Sequence, residues 1–153
     1  MISPRSPHPH EFERISQFLQ EIFLDFISPL YEELGNQTFL EYIHPDKLKE
    51  RNGEPERYSQ FILENLEGIL GFMEVRDGSH ISLLFIKKEH QRKGWGKKLI
   101  SLAESLVKEH HHSCMTLNAS PNSKEAYLSM GFVLRSNLRM VNGVKFIEME
   151  KEI

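Results

Sequence analysis

Apolar positions recur along the chain with two periods, and the switch between them divides it. Phe12, Ile15, Leu19, Ile22, Phe23 and Phe26 fall at helical spacing and stop at Ser28-Pro29, which predicts an amphipathic helix. A short strand is expected ahead of it. Two further short helical pieces are expected over 29–34, closed by Gly35, and over 38–43, closed by Pro45. The polar stretch 46–56 contains Asn52-Gly53 and Pro55 and reads as a helical turn followed by a loop. Beyond it the segments 57–64, 68–76 and 79–86 are strand-like and are separated by Asn65-Leu66-Glu67 and Asp77-Gly78, so they predict an antiparallel meander. Asp-Gly suits a type I′ turn, in which both central residues need positive φ.

Helical spacing then returns. Leu99, Leu102, Ala103 and Leu106, flanked by Ile100 and Val107, make one apolar stripe and predict a helix over 94–109. A short buried strand is expected over 114–119. A helix over 122–130 would have Asn122 as its cap, Glu125 three residues later and Gly131 at its end. Segments 132–141 and 144–151 flank Asn142-Gly143, a second hairpin turn of the same type. This order predicts an α/β (α+β) fold: a central mixed, mostly antiparallel sheet of six to seven strands covered by helices.

Composition narrows the reading without redirecting it. A chain of 153 residues with 39% hydrophobic and 27% charged positions is expected to form a single domain over 1–153. Nineteen Lys and Arg against 22 Asp and Glu give a net charge of -3, so neither nucleic acid nor a membrane surface is an expected partner. Cys114, the only cysteine, excludes an intramolecular disulfide and is expected as a small buried hydrophobe in a reducing cytosol. No signal peptide is visible and no apolar run approaches the roughly 18 residues of a span, so a cytoplasmic monomer or homodimer is expected. His110, His111 and His112 point in different directions at a helix end; they suit its C-terminal dipole, and no metal site is expected.

The chemistry concentrates where the third meander strand turns into the striped helix: Leu83-Leu84-Phe85-Ile86, then Gln91-Arg92-Lys93-Gly94-Trp95-Gly96-Lys97-Lys98. Backbone N–H groups of a first helical turn lack intrahelical partners and carry the positive end of the helix dipole, so they suit phosphate oxygens. Gly94 and Gly96 allow close approach, and Arg92, Lys93, Lys97 and Lys98 add cations. The spacing is neither a Walker A loop nor the dinucleotide fingerprint, which would need Gly or Ala at Leu99.

With Gln91, Gly94 and Gly96 in place, the segment resembles the acyl-CoA pyrophosphate loop of the GNAT superfamily of N-acetyltransferases. Downstream, Leu117-Asn118-Ala119-Ser120-Pro121-Asn122-Ser123 and then Ala126-Tyr127-Leu128-Ser129-Met130-Gly131-Phe132 resemble that superfamily's fifth strand and fourth helix. The resemblance runs from about Gly71 to Phe132. It implies a GNAT-like fold, acetyl-CoA as co-substrate and an amine acceptor, a small molecule or peptide. It also implies that Leu84, Phe85 and Ile86 pair through their backbone with the pantetheine arm and that Gln91, Arg92, Lys93, Gly94, Trp95, Gly96 and Lys97 form the pyrophosphate loop. Asn118 and Asn122 fall where the cofactor or acceptor is commonly touched. Tyr127 matches a proposed general acid, and His80 matches a position where several members place a general base. Arg92 stands where Gly is frequent, and the proline that often precedes the loop is missing.

The residue types fit the chemistry implied. A lysine-like amine, of pKa about 10.4, must lose a proton before attacking a thioester, and an imidazole can take it. A tyrosine hydroxyl can protonate a departing thiolate. Each residue also has a plainer role open: Tyr127 as core, His80 as a structural strand residue, Asn118 and Asn122 as caps. Tyr31, Glu32, Glu33, Phe39 and Tyr42 are candidates for an acceptor pocket or for ordinary helix faces. Two functions stand, an N-acetyltransferase and a non-catalytic acyl-CoA-binding regulatory module of the same fold.

Overall fold

The computed structural model describes residues 2–153. Helices α1 (Phe12–Ile22), α2 (Glu33–Tyr42) and α3 (Pro45–Asn52) come first, followed by strands β1 (Tyr58–Asn65), β2 (Gly68–Arg76) and β3 (His80–Ile86). Helix α4 (Trp95–Glu109), strand β4 (Cys114–Ala119), helix α5 (Lys124–Ser129) and the hairpin β5 (Val133–Val141) and β6 (Val144–Glu152) complete it. The sheet has six strands in the order β1-β2-β3-β4-β6-β5, antiparallel except where β3 meets β4. Both hairpin turns have the expected left-handed pairs, with φ of 54° and 69° at Asp77 and Gly78 and 51° and 81° at Asn142 and Gly143.

Apolar side chains fill both sides of the sheet. Leu99, Ile100, Ala103 and Val107 of α4 pack with Met73, Val75, Met115 and Leu117 on one side. Phe12, Ile15, Leu19 and Phe23 pack with Ile62, Phe72, Leu83 and Phe85 on the other. Each inward row comes from alternate strand positions, which is why the period-two pattern was readable.

Five expectations need correction. The N-terminal strand reduces to one bridge, Arg5 to Ile62. Arg5 and Arg14 there share Glu11 and Glu64, and the Arg5 guanidinium above all holds the Glu11 carboxyl well below the usual range. Gly35 does not end a helix; α2 runs through it, because its Cα lies against the β5–β6 turn, where a Cβ would sit 2.1 Å from the Gly143 carbonyl oxygen. Asn122 does not cap α5, which starts at Lys124; its amide instead donates to the Phe26 carbonyl at 2.6 Å. Cys114 is half-buried, and its Sγ lies 3.3 Å from Glu150 Oε2, because Met115 and Leu117 take the inward positions of β4. The stretch after Pro45 is also more helical than a single turn.

The feature that matters most for function is a split in the sheet. β3 and β4 pair only at His80 with Thr116 and Ile81 with Leu117. Opposite Glu74 and Val75 the β2–β3 register slips, leaving Ser82 without a partner, and this bulge bends β3 away from β4. Among the described residues no helix is long and apolar enough to cross a membrane.

Candidate active site

Two clefts open at the split. The first, of about 610 Å³, lies against α4 and α5 and is lined by Leu84, Ile86, Gln91, Arg92, Gly94, Gly96, Lys97, Asn122 and Tyr127, among others. Its floor is the turn into α4. Gly94 caps the helix at a φ of 89°, and Arg92 also sits in the left-handed region at 60°. These two turns lift the chain so that, among the described residues, no acceptor meets the backbone N–H groups of Arg92 through Lys97; the first to bond is Lys98, to the Gly94 carbonyl. A Cβ at Gly94 would meet nothing within 4 Å, so open space lies over the turn. The Gln91 amide folds back to donate to the Ile86 carbonyl at 3.0 Å and ties the turn to the end of β3.

Arg92 and Lys97 border this cleft, and among the described residues neither is paired with a carboxylate. Lys93 is exposed and lies outside the lining. Trp95 turns toward the core, where the Lys98 ammonium sits 5.6 Å from its ring centroid while donating to the Ile2 carbonyl. A π-helical turn, Phe23–Ile27, ends the first helix and delivers Phe26 to this cleft and Ile27 to the next. Sequence periodicity gives no signal for such a turn.

The second cleft, of about 420 Å³, lies beneath α2 and the β5–β6 hairpin and is bordered by Tyr31, Phe39, Tyr42, Phe85 and Phe146, with His80, Ser82 and Asn118 as polar groups. Phe85, read as a residue of the cofactor arm, is nearly buried here beside Phe39, with ring centroids 5.9 Å apart. Of the earlier acceptor-pocket candidates, Tyr31, Phe39 and Tyr42 line this cleft and Glu32 and Glu33 do not. The roof is clasped: Thr38 Oγ1 donates to the Asn142 carbonyl at 2.8 Å, and the Tyr31 hydroxyl to the Lys145 carbonyl at 3.0 Å. Burial pushes the Tyr31 hydroxyl up to about 12.

Under the floor of the aromatic cleft lies a fully buried carboxylate, Glu74. It accepts from the Tyr42 and Ser82 hydroxyls, each at 2.7 Å, from Arg51 Nε at 2.9 Å and from the Gln60 amide at 2.8 Å. Arg51 also stacks 3.7 Å from the Tyr42 ring centroid. A polar residue in the middle of an otherwise apolar strand was the available clue, and Ser82, at the bulge, was another.

The clefts meet. Leu84, Ser123 and Tyr127 border both. Tyr127 stands edge-on to Phe132 with centroids 5.6 Å apart, and burial raises its hydroxyl well above the ordinary tyrosine value, so it stays protonated. His80 borders only the aromatic cleft; its Nδ1 is 2.8 Å from Thr116 Oγ1. Burial first, and the Arg76 charge second, pull its imidazole down to about 4.

Residues 27–153 match the family model of the acetyltransferase (GNAT) domain. The fold is similar to that of the PaiA N-acetyltransferase of Thermoplasma acidophilum, solved with coenzyme A, at 20% identity and a TM-score of 0.81 over 100% of this chain and 99% of that one. It is also similar to a chimera built on the spermidine N-acetyltransferase SpeG of Vibrio cholerae, at 19% identity and a TM-score of 0.67 over 99% and 95% of the two chains.

Proposed function

Because the chain belongs to the GNAT acetyltransferase family and takes acetyl-CoA as its co-substrate, we propose that it acetylates a primary amine of a small molecule or peptide by direct attack of that amine. The observation that carries this reading is the shared border of the two clefts at Tyr127. The loop cleft suits the donor: unpaired amides, open space over Gly94 and the Arg92 and Lys97 charges converge where a pyrophosphate would lie. When bound there, acetyl-CoA supplies an activated thioester carbonyl and a thiolate leaving group. The aromatic cleft suits the acceptor.

In this reading Leu84 and Ile86 flank the pantetheine arm on the strand edge that β4 leaves open, while Asn118 and Phe85 face the acceptor. Tyr127 Oη holds its proton at the junction and gives it up to the leaving sulfur. His80, neutral across the working range, offers a lone pair on the acceptor side, and a water chain carries the amine's proton onward, because an imidazole near 4 holds it only briefly. Thiol release from acetyl-CoA with a panel of primary amines and peptides tests the proposal. Amine-dependent release is expected. Acetyl-CoA binding without release for any acceptor would overturn it.

A further inference from the structure

The charges around the aromatic cleft are one-sided. Its border contains Arg76 on β2 and Lys145 on β6, with β3 and β4 between them, and no Asp or Glu. Lys145 has no carboxylate within ion-pair reach among the described residues. Arg76 shares Asp77 with Arg57, at 3.6 and 3.5 Å, so one exposed carboxylate stands against two guanidinium groups. The nearest buried carboxylate, Glu74, is sealed under the Tyr42 and Ser82 hydroxyls and matched by Arg51. Those hydroxyls spend their protons on Glu74, so toward the cavity they present lone pairs, which suit an incoming N–H.

A cleft with two outer cations, hydroxyl acceptors at its floor and aromatic walls discriminates against a polycation and favours an amine that also carries a negative charge. We infer that the acceptor is a small amino carboxylate with an apolar side chain, its carboxylate drawn to Arg76 or Lys145 and its amine directed toward Tyr127. This rests on the amine-acetylating reading above and goes further, since it excludes polyamines as good substrates of this chain.

The test pairs turnover with binding. L-phenylalanine, L-leucine and L-methionine are each compared with their amides, their decarboxylated amines and spermidine, by thiol release and by calorimetry on the CoA-loaded protein. The carboxylates are expected to bind and react at least about tenfold better, the usual worth of one charge-assisted hydrogen bond. Arg76→Gln or Lys145→Gln is expected to erase that preference while spermidine improves or stays the same, and the variant that does so identifies the anchoring cation. Preferential binding of the carboxylates without turnover would uphold this inference and overturn the catalytic reading. Turnover that favours spermidine or the neutral amines would do the reverse. Neither binding nor turnover of any compound would overturn both.

Discussion

The floor of the loop cleft is one short run of chain with unpaired backbone amides, whereas the aromatic cleft is assembled from residues scattered between Ile27 and Phe146. Backbone amides keep their direction when side chains change, so the first site depends on conformation and on two glycines. The second depends on which residue occupies each wall. On the proposed reading, the difference separates a part of the molecule suited to a common donor from a part free to choose its own acceptor.

The comparison breaks most sharply at the junction. Tyr127→Phe is expected to lower kcat by roughly 10²–10⁴, the usual range for a positioned acid. Acetyl-CoA affinity measured by calorimetry should not change, because the ring and its contact with Phe132 remain. Equal loss of both would make Tyr127 structural. Next in size, Arg51→Met leaves Glu74 buried without its cation and should cost about 3–5 kcal/mol in denaturant unfolding. The acetyl-CoA affinity of the folded fraction should hold, since the damage lies on the acceptor side.

His80 gives the third. Its folded pKa, about 4, lies below the unfolded value near 6.5, so between them the unfolded chain binds the extra proton. Stability should therefore rise with pH through that window and fall on acidification, by roughly 2–3 kcal/mol from this group at pH 4. His80→Gln should flatten that part of the curve. It should also slow acetylation without altering the profile between pH 6 and 8, where the imidazole does not titrate. A histidine limb near 6.5 in the wild type would contradict the buried, neutral imidazole.

The smallest effects belong to the loop. Gly96→Pro removes one unpaired amide and should weaken acetyl-CoA by about ten- to a hundredfold, the range for a hydrogen bond to a charged group. Lys97→Ala should weaken it by less, and increasingly little at high salt, because an exposed cation is screened.

How much could be read in advance follows the same division. The turn into α4 was legible because glycines, cations and helix start are neighbours in sequence. Tyr127 was legible by its spacing to Gly131, and the strands by their alternating inward rows. Gly35 misled because glycine commonly ends helices, and only the approach of Gly143 explains one inside α2. Asn122 looked like a cap, yet its partner is Phe26, nearly a hundred residues earlier. The Glu74 cluster draws donors from α2, α3, β1 and β3, and no local pattern records such a gathering. Arg76 and Lys145 stand near the ends of two strands far apart in sequence, and only the topology sets them around one cavity.

The clasp between α2 and the last hairpin also orders events in time. Thr38 and Asn142 are 104 positions apart, so their contact closes a long loop, whereas the turn into α4 forms within about a dozen residues. During synthesis the turn into α4 can take shape while the hairpin is still inside the ribosome. The aromatic cleft closes only when the C-terminal strands arrive, and because β6 lies between β4 and β5, a chain interrupted before Asn142 would lose an inner strand of the sheet together with the lid.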